Sequence, residues 1–257
     1  MIISVAQLEI FMFILARISG VFIQAPIFSS RSFPVPAKMA FAIWLTIVLL
    51  FVTPINPVLP NSMVMFIAIL VGEVAFGFII GFICNLLFIA VQAAGEMMDM
   101  QMGLSVASAL DPVFGAVISI IGRLVFFVTL VVFLAIDGHH MMLAAFHQSF
   151  TLIPAGKIVN FSSYNLTAQV LQLGGALWLT AVKLAAPAML LIFLSDFTFG
   201  IVSRVAPQVN VFMLGFQVKP MLGLFTILIT LPFLIKYIGT MVETIGAELI
   251  KLFMILK

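Results

Sequence analysis

This chain of 257 residues is 64% hydrophobic and only 8% charged, whereas soluble domains carry about 25% charged residues. The net charge of +2 comes without a basic cluster, which excludes the electrostatic footprint of a nucleic-acid-binding protein. A single cysteine, Cys84, excludes an intrachain disulfide. The composition therefore predicts an integral membrane protein, and because Glu9 stands where a signal peptide would carry Lys or Arg, we expect the first helix to be retained.

Six apolar stretches approach the roughly 20 residues that a helix needs to cross about 30 Å of hydrocarbon. In chain order they cover residues 5–28, 39–52, 63–94, 114–136, 166–202 and 209–235. Proline, Asp-Pro and Asp-Gly sequences separate most of them. We predict an all-α, polytopic fold of about six apolar helical segments, with residues 1–257 forming a single domain.

Six ionisable residues lie away from the ends of these stretches. Each would cost roughly 2.5–3.5 kcal/mol at the centre of a helix that faces lipid. Pairing between helices, contact with a water-filled passage or burial against partner subunits would lower this cost, so the pattern favours a channel or an assembly, although any single residue could snorkel to an interface. The six are Arg17, Glu73, Arg123, Lys183, Asp196 and Lys219.

A methionine-rich segment interrupts the apolar pattern near residue 100. Methionine is long, unbranched and polarisable, so several of them can close against varied surfaces. The residues alone leave two interpretations open, a channel plug or an amphipathic stretch at the membrane interface, with two glycines as flexible points. The segment contains Gly95, Glu96, Met97, Met98, Asp99, Met100, Gln101, Met102 and Gly103 and leads to Asp111.

The sequence Asp137-Gly138-His139-His140 has the composition of a metal site. Neighbouring histidines are expected to point to different sides of a helix, and no HExxH spacing is present. We therefore predict a polar turn that caps the fourth helix, with no metal and no cofactor. No nucleophile, phosphate-binding or glycine fingerprint points to an enzyme either.

In the fifth stretch, Asp196 and Arg204 share a helix face but are separated by about 12 Å of rise. An ion pair between them is not possible, so Asp196 is predicted to need a partner elsewhere. Pro207 is expected to end this helix, with Gln208 and Asn210 supplying hydrogen bonds to the broken backbone.

A series of short motifs runs along nearly the whole chain. The motifs are Arg17-Ile-Ser-Gly20 with Ala25-Pro26; Pro36-Ala37-Lys38; Gly72-Glu73 with Gly77 and Gly81; Gln101-Met-Gly-Leu104 through Asp111-Pro112 to Gly115; Gly138-His139-His140; and Asp196 to Gly200, Arg204, Ala206-Pro207-Gln208, Asn210-Val-Phe212 and Gly215-Phe216. In their order and spacing they resemble the FliR family of flagellar export gates, whose counterparts serve injection systems. Two small departures are Asp137, where Asn is more common, and Gln217, where Pro is common.

The resemblance implies one structural subunit of an export gate, joined by FliP-like and FliQ-like subunits and a FlhB-like switch protein in the bacterial inner membrane at the flagellar basal body. Unfolded exported proteins would pass through this helical complex, whose hairpins pack partly against neighbours. It favours the plug interpretation, in which a methionine-rich loop inside the channel limits leakage, for Glu96, Met97, Met98, Met100, Gln101, Met102, Gly103 and Asp111. It favours a role in assembly for Arg17, Glu73, Arg123, Lys183, Asp196, Arg204, Asn210 and Lys219.

Two other functions remain open at this point. A small-solute secondary transporter would also place charges near helix centres, although no inverted repeat is evident. An intramembrane enzyme using Asp111 or the histidines would lose activity on single substitution. The choice between a flagellar and a virulence-type system is also open.

Overall fold

The computed structural model of the chain describes residues 5–26, 28, 34–52, 60, 62–105, 119–159 and 164–256. All regular structure in these ranges is helical, which confirms the predicted all-α fold. Seven helices are defined within them: α1 (Val5–Gln24), α2 (Val35–Val52), α3 (Met63–Met102), α4 (Ile120–Ala135), α5 (Gly138–Leu152), α6 (Tyr164–Val205) and α7 (Val211–Leu256).

Five of these helices are long and apolar enough to cross a membrane: α1, α2, α3, α6 and α7. The α4–α5 pair would bring the total to six if it is counted as one broken span. The prediction of a polytopic membrane protein with about six apolar segments is therefore confirmed within the described residues.

Three helices extend well beyond a single membrane crossing. α3, α6 and α7 have 40, 42 and 46 residues, which corresponds to about 60–69 Å at 1.5 Å per residue. The hydrocarbon core is about 30 Å thick. A straight helix of this length that crosses the bilayer must continue beyond the hydrocarbon.

The structure corrects two helix boundaries. The stretch predicted to end at residue 94 continues as helix to Met102, and the one predicted to end at residue 235 continues to Leu256. Both extensions are less apolar than the spans, but their Met, Gln, Glu and Lys residues are good helix formers. Each helix therefore continues past the end of its apolar run.

The polar turn predicted after the fourth stretch is the start of a separate helix, α5. Asp137 occupies the N-cap position in the left-handed conformation, with φ 57°. At 15 residues, α5 is shorter than the roughly 20 apolar residues that indicate a membrane-spanning helix.

Contacts between Cα atoms divide the chain into two units. The first contains Met1–Leu86, Asp137–Gln172 and Val242–Lys257, and the second contains Leu87–Ile136 and Leu173–Met241. Each unit is thus assembled from separate pieces of the chain, and α3, α6 and α7 contribute residues to both.

Glycines bring α1 and α3 into close contact in the first unit. A Cβ atom on Gly20 would overlap the carbonyl of Val74, and one on Gly77 would overlap the carbonyl of Arg17. A Cβ on Gly81 would lie 2.6 Å from the Val21 oxygen. The small-residue spacing of Gly77 and Gly81 therefore serves packing within the chain.

Candidate functional site

The second unit contains a cavity of about 470 Å³ between the end of α3, the second half of α6 and the start of α7. It brings together two groups of residues that the sequence had singled out separately, the methionine-rich segment and the polar end of the fifth stretch. Its lining includes Met100, Gln101, Met102, Gly103, Asp196, Gly200, Gly215, Phe216 and Lys219.

An ion pair between α6 and α7 lies at this cavity. The Lys219 Nζ is 2.5 Å from the Asp196 Oδ1, and the two side chains are 24% and 44% exposed. The partner that Asp196 was predicted to need is therefore Lys219, on the next helix of the chain. Because both groups remain partly exposed, the pair stabilises the fold by at most about 1 kcal/mol.

The methionine-rich segment is helical, so the loop expected for its first part is wrong. Residues 95–102 belong to α3, and Gly103, with φ +78°, follows the end of that helix. Gly95 is not a flexible point, because a Cβ there would overlap the Cα of Gly122 in α4. Asp111, also predicted to belong to the plug, lies outside the described residues.

The methionines fall into two groups with different surroundings. Met98 and Met102 are buried, and the Met102 side chain fills the space above Gly223, where a Cβ would overlap its methyl group. Met97 is half-buried, whereas Met100 is 71% exposed. The buried methionines hold α3 in place, whereas Met100 is available for contact with other molecules.

The remaining polar residues of this segment divide in the same way. Glu96 and Gln101 are exposed. Asp99 is buried and accepts hydrogen bonds from the Ser119 hydroxyl at 2.5 Å and from the Ile121 amide at 3.2 Å. Since Ser119 in turn caps α4 by accepting from the Gly122 amide at 2.8 Å, Asp99 fixes the start of α4 to the end of α3.

A second cluster, in the first unit, surrounds Arg17. Its guanidinium donates to Glu73 from Nε at 2.6 Å and from Nη2 at 3.1 Å, and both side chains are fully buried. Nη1 donates to the Ser149 hydroxyl at 3.2 Å and to the Ile153 carbonyl at 3.0 Å. Glu73 also accepts from the Gly156 amide at 2.9 Å, so the arrangement satisfies both charges.

Two phenylalanine rings enclose this guanidinium. The Arg17 Cζ lies 4.8 Å from the ring centroid of Phe76 and 4.1 Å from that of Phe150, both within the range of cation–π attraction. The pair therefore sits in a dry, aromatic surrounding and fastens α1 to α3 and α5.

The other predicted assembly residues are exposed. Arg123 on α4, Lys183 on α6 and Arg204 near the end of α6 form no ion pair among the described residues. Asn210 accepts from the Met213 amide at 3.2 Å at the start of α7, as its predicted role at the broken backbone requires. These three cations are therefore available to other chains or to lipid headgroups.

Sequence reasoning missed Ser149, Ile153 and Gly156, which hold Arg17 and Glu73. They lie in or just after α5, which was not predicted. A helical period in residues 138–152 was the signal available, and Ser149 lies on the same side of that helix as the buried Phe146 and Phe150.

The sequence itself decides the family. Residues 8–245 match the family model described as bacterial export proteins, family 1. The chain belongs to this family. Membership makes it a membrane component of a bacterial export apparatus rather than an enzyme.

Individual proteins that are similar to this chain support its membership of the family. The flagellar biosynthetic protein FliR of Bacillus subtilis (strain 168) is 30% identical over 81% of both chains. The FliR of Escherichia coli (strain K12) is 28% identical over 84% of this chain and 82% of its own length. The secretion system apparatus protein SsaT of Salmonella typhimurium is 29% identical over 72% of this chain and 74% of its own. The predicted resemblance to the FliR family is confirmed.

Proposed function

We propose that the chain is a structural subunit of the flagellar type III export gate in the bacterial inner membrane, at the flagellar basal body. Within the gate it forms part of the channel through which unfolded proteins cross. The flagellar assignment follows the relatives from Bacillus subtilis and Escherichia coli, both named as flagellar biosynthetic proteins.

Its partners in this proposal are FliP-like and FliQ-like subunits and a FlhB-like switch protein. Exposed cations on apolar helices support an assembly. Arg123 lies beside Leu124 and near Phe127, which are 42% and 56% exposed, and Lys183 lies beside Val182, which is 48% exposed. An exposed cation among apolar side chains is costly in lipid, and acidic groups of neighbouring subunits would lower that cost.

The observation that carries the channel role is the cavity where the end of α3 meets the Asp196–Lys219 pair. Met100 and Gln101 line it from one side, and Met100 is largely exposed. In the proposal the exposed residues Glu96, Met100 and Gln101 limit leakage through the channel. Met98 and Met102 hold the helix that presents them, and Met97, Gly103 and Asp111 complete the plug segment.

The test measures ion leak through the assembled gate in planar bilayers. Met100→Ala shortens the side chain without removing the buried contacts of α3, so we expect a higher basal conductance from a complex of unchanged composition. Met254→Ala is the matched control, because Met254 is 69% exposed and lies in the other unit. Unchanged conductance in an assembled Met100→Ala gate would refute the leakage role.

The flagellar assignment has a separate test. Deleting the gene should abolish motility and export of the flagellar filament protein, and the wild-type chain supplied in trans should restore both. Normal motility in the deletion strain, with loss of another secretion process, would instead assign the chain to a virulence-type system.

A further inference from the structure

The start of α5 contains three potential metal ligands that the export function does not use. Asp137 stands at the N-cap in the left-handed conformation, with φ 57° and ψ 26°, but its carboxylate forms no capping hydrogen bond with the backbone. Aspartate at this position normally accepts from the amides of the first helical turn. Instead, Asp137 Oδ1 lies 3.2 Å from His140 Nδ1.

The neighbouring histidines do not point apart, which corrects the expectation drawn from the sequence. Consecutive residues are separated by about 100° around a helix axis, and the two imidazoles lean toward each other. Their ring centroids are 4.1 Å apart. One ligand atom from each of Asp137, His139 and His140 lies within 4.8 Å of the others.

His139 supplies a second, independent observation. Its Nδ1 is buried and has no hydrogen-bond partner among the described residues. A buried polar atom without a partner costs free energy, and native structures satisfy most such atoms. A bound cation with its ligand water would remove this cost.

We propose that Asp137, His139 and His140 bind one divalent transition-metal ion, with water completing the coordination. Two imidazole nitrogens and one carboxylate oxygen suit Zn²⁺ and its neighbours, whereas Ca²⁺ and Mg²⁺ prefer oxygen ligands. Tetrahedral coordination at roughly 2.0–2.1 Å places ligand atoms about 3.4 Å apart. The Asp137–His140 pair, at 3.2 Å, is already close to this spacing, and the remaining distances need to shorten by at most about 1.4 Å.

Side-chain rotation provides these movements. Asp137 and His140 are 72% and 70% exposed, so neither is held by packing. The site also belongs to the helix that carries Ser149 and ends before Ile153, which both accept hydrogen bonds from Arg17. A metal ion at the start of α5 would therefore stabilise the helix that supports the buried Arg17 cluster.

The test uses the full-length chain purified in detergent with its partner subunits and titrated with Co²⁺, whose visible absorption reports imidazole coordination. We expect one Co²⁺ per chain, displaced by Zn²⁺. Asp137→Asn and His140→Ala should each weaken Co²⁺ binding at least about tenfold. Loss of a residue that only hydrogen-bonds to a metal ligand already lowers metal affinity by about that factor. Asn tolerates the left-handed conformation, so the first variant leaves the backbone turn intact.

His147→Ala is the matched control. His147 belongs to the same helix and also has a buried ring nitrogen without a partner among the described residues. It is not part of the cluster, so its removal should leave the affinity unchanged. Zn²⁺ should also raise the thermal unfolding midpoint of the wild type and of His147→Ala, but not of His140→Ala. Absence of stoichiometric Co²⁺ binding, or equal loss in the control, would overturn the proposal.

Discussion

Arg17 and Glu73, 56 residues apart, form a bidentate ion pair in which neither side chain reaches solvent. The pair is completed by Ser149, Ile153 and Gly156, so each charge has several hydrogen-bond partners. Such a network stabilises a fold only while it is complete, because removing one partner leaves the other charge buried and uncompensated.

Arg17→Met should therefore lower the free energy of unfolding by about 3–5 kcal/mol. Chemical denaturation of the detergent-solubilised chain measures the change. Lys183→Met is the control, since Lys183 is exposed and has no ion-pair partner among the described residues, and its stability should be unchanged or slightly higher. The double variant Arg17→Met/Glu73→Gln should recover part of the loss, and an unfolding midpoint for Arg17→Met equal to the wild type would contradict the argument.

Gly77→Ala should destabilise the chain by about 1–3 kcal/mol, because the added methyl group would overlap the Arg17 carbonyl and force α1 and α3 apart. A methyl group added to Gly72, also in α3, would meet no other atom within 4 Å. Gly72→Ala should therefore stabilise the helix by up to about 1 kcal/mol. Thermal unfolding of the two variants should shift in opposite directions, and a shared direction would show that the glycine contact does not limit the approach of the helices.

Asp99→Ala should loosen the start of α4, because it removes the carboxylate that accepts from Ser119 and Ile121. The loss leaves the buried Ile121 amide without its acceptor, which costs about 1–3 kcal/mol. Hydrogen exchange should become faster at the Ile121 and Gly122 amides. Glu96→Ala is the control, since Glu96 is exposed and pairs with Gln92 within α3. Equal exchange at Ile121 in both variants would argue against a stabilising role for the Asp99 hydrogen bonds.

Arg123→Gln and Lys183→Gln should weaken assembly without weakening the fold. If acidic groups of neighbouring subunits pair with these cations, their loss should reduce recovery of the intact complex at least about tenfold. Native mass measurement of the purified complex gives the recovery. Lys251→Gln is the control, because Lys251 is exposed and already lies 3.8 Å from Glu248 in its own chain. Full recovery of the complex with the double variant would remove the proposed role of both residues in assembly.

Hydropathy predicted the helical class and most of the membrane-length helices, because about 20 apolar residues have few alternatives in lipid. It missed α5, which is shorter and contains histidine and glutamine, and it ended α3 and α7 too early. The helices continue there through Glu96 and Lys251, since good helix formers do not need to be apolar.

The sequence identified the charged residues of the two clusters but not which of them form ion pairs with each other. The cost of a buried charge showed that Arg17 and Asp196 needed compensation, but which residue supplies it depends on tertiary packing. Glu73 pairs with Arg17 from a different helix, and Lys219 pairs with Asp196 in the same way. The surroundings of the methionines were harder to predict, because the same flexible type of side chain can be buried or exposed. Met102 fills a gap above Gly223, whereas Met100 is exposed.

The first unit is assembled from three separate segments of the chain, and this determines when it can fold during synthesis. Its last piece, Val242–Lys257, places Phe253 against Phe76 and brings the Glu248 carboxylate within 2.9 Å of Gln169. A ribosome adds about 5–20 residues per second, so α1 and α3 are synthesised about 7 seconds or more before Phe253 becomes available. Until residues 242–257 have been synthesised, the apolar helices of this unit would need protection from aggregation by the insertion machinery or by an early partner.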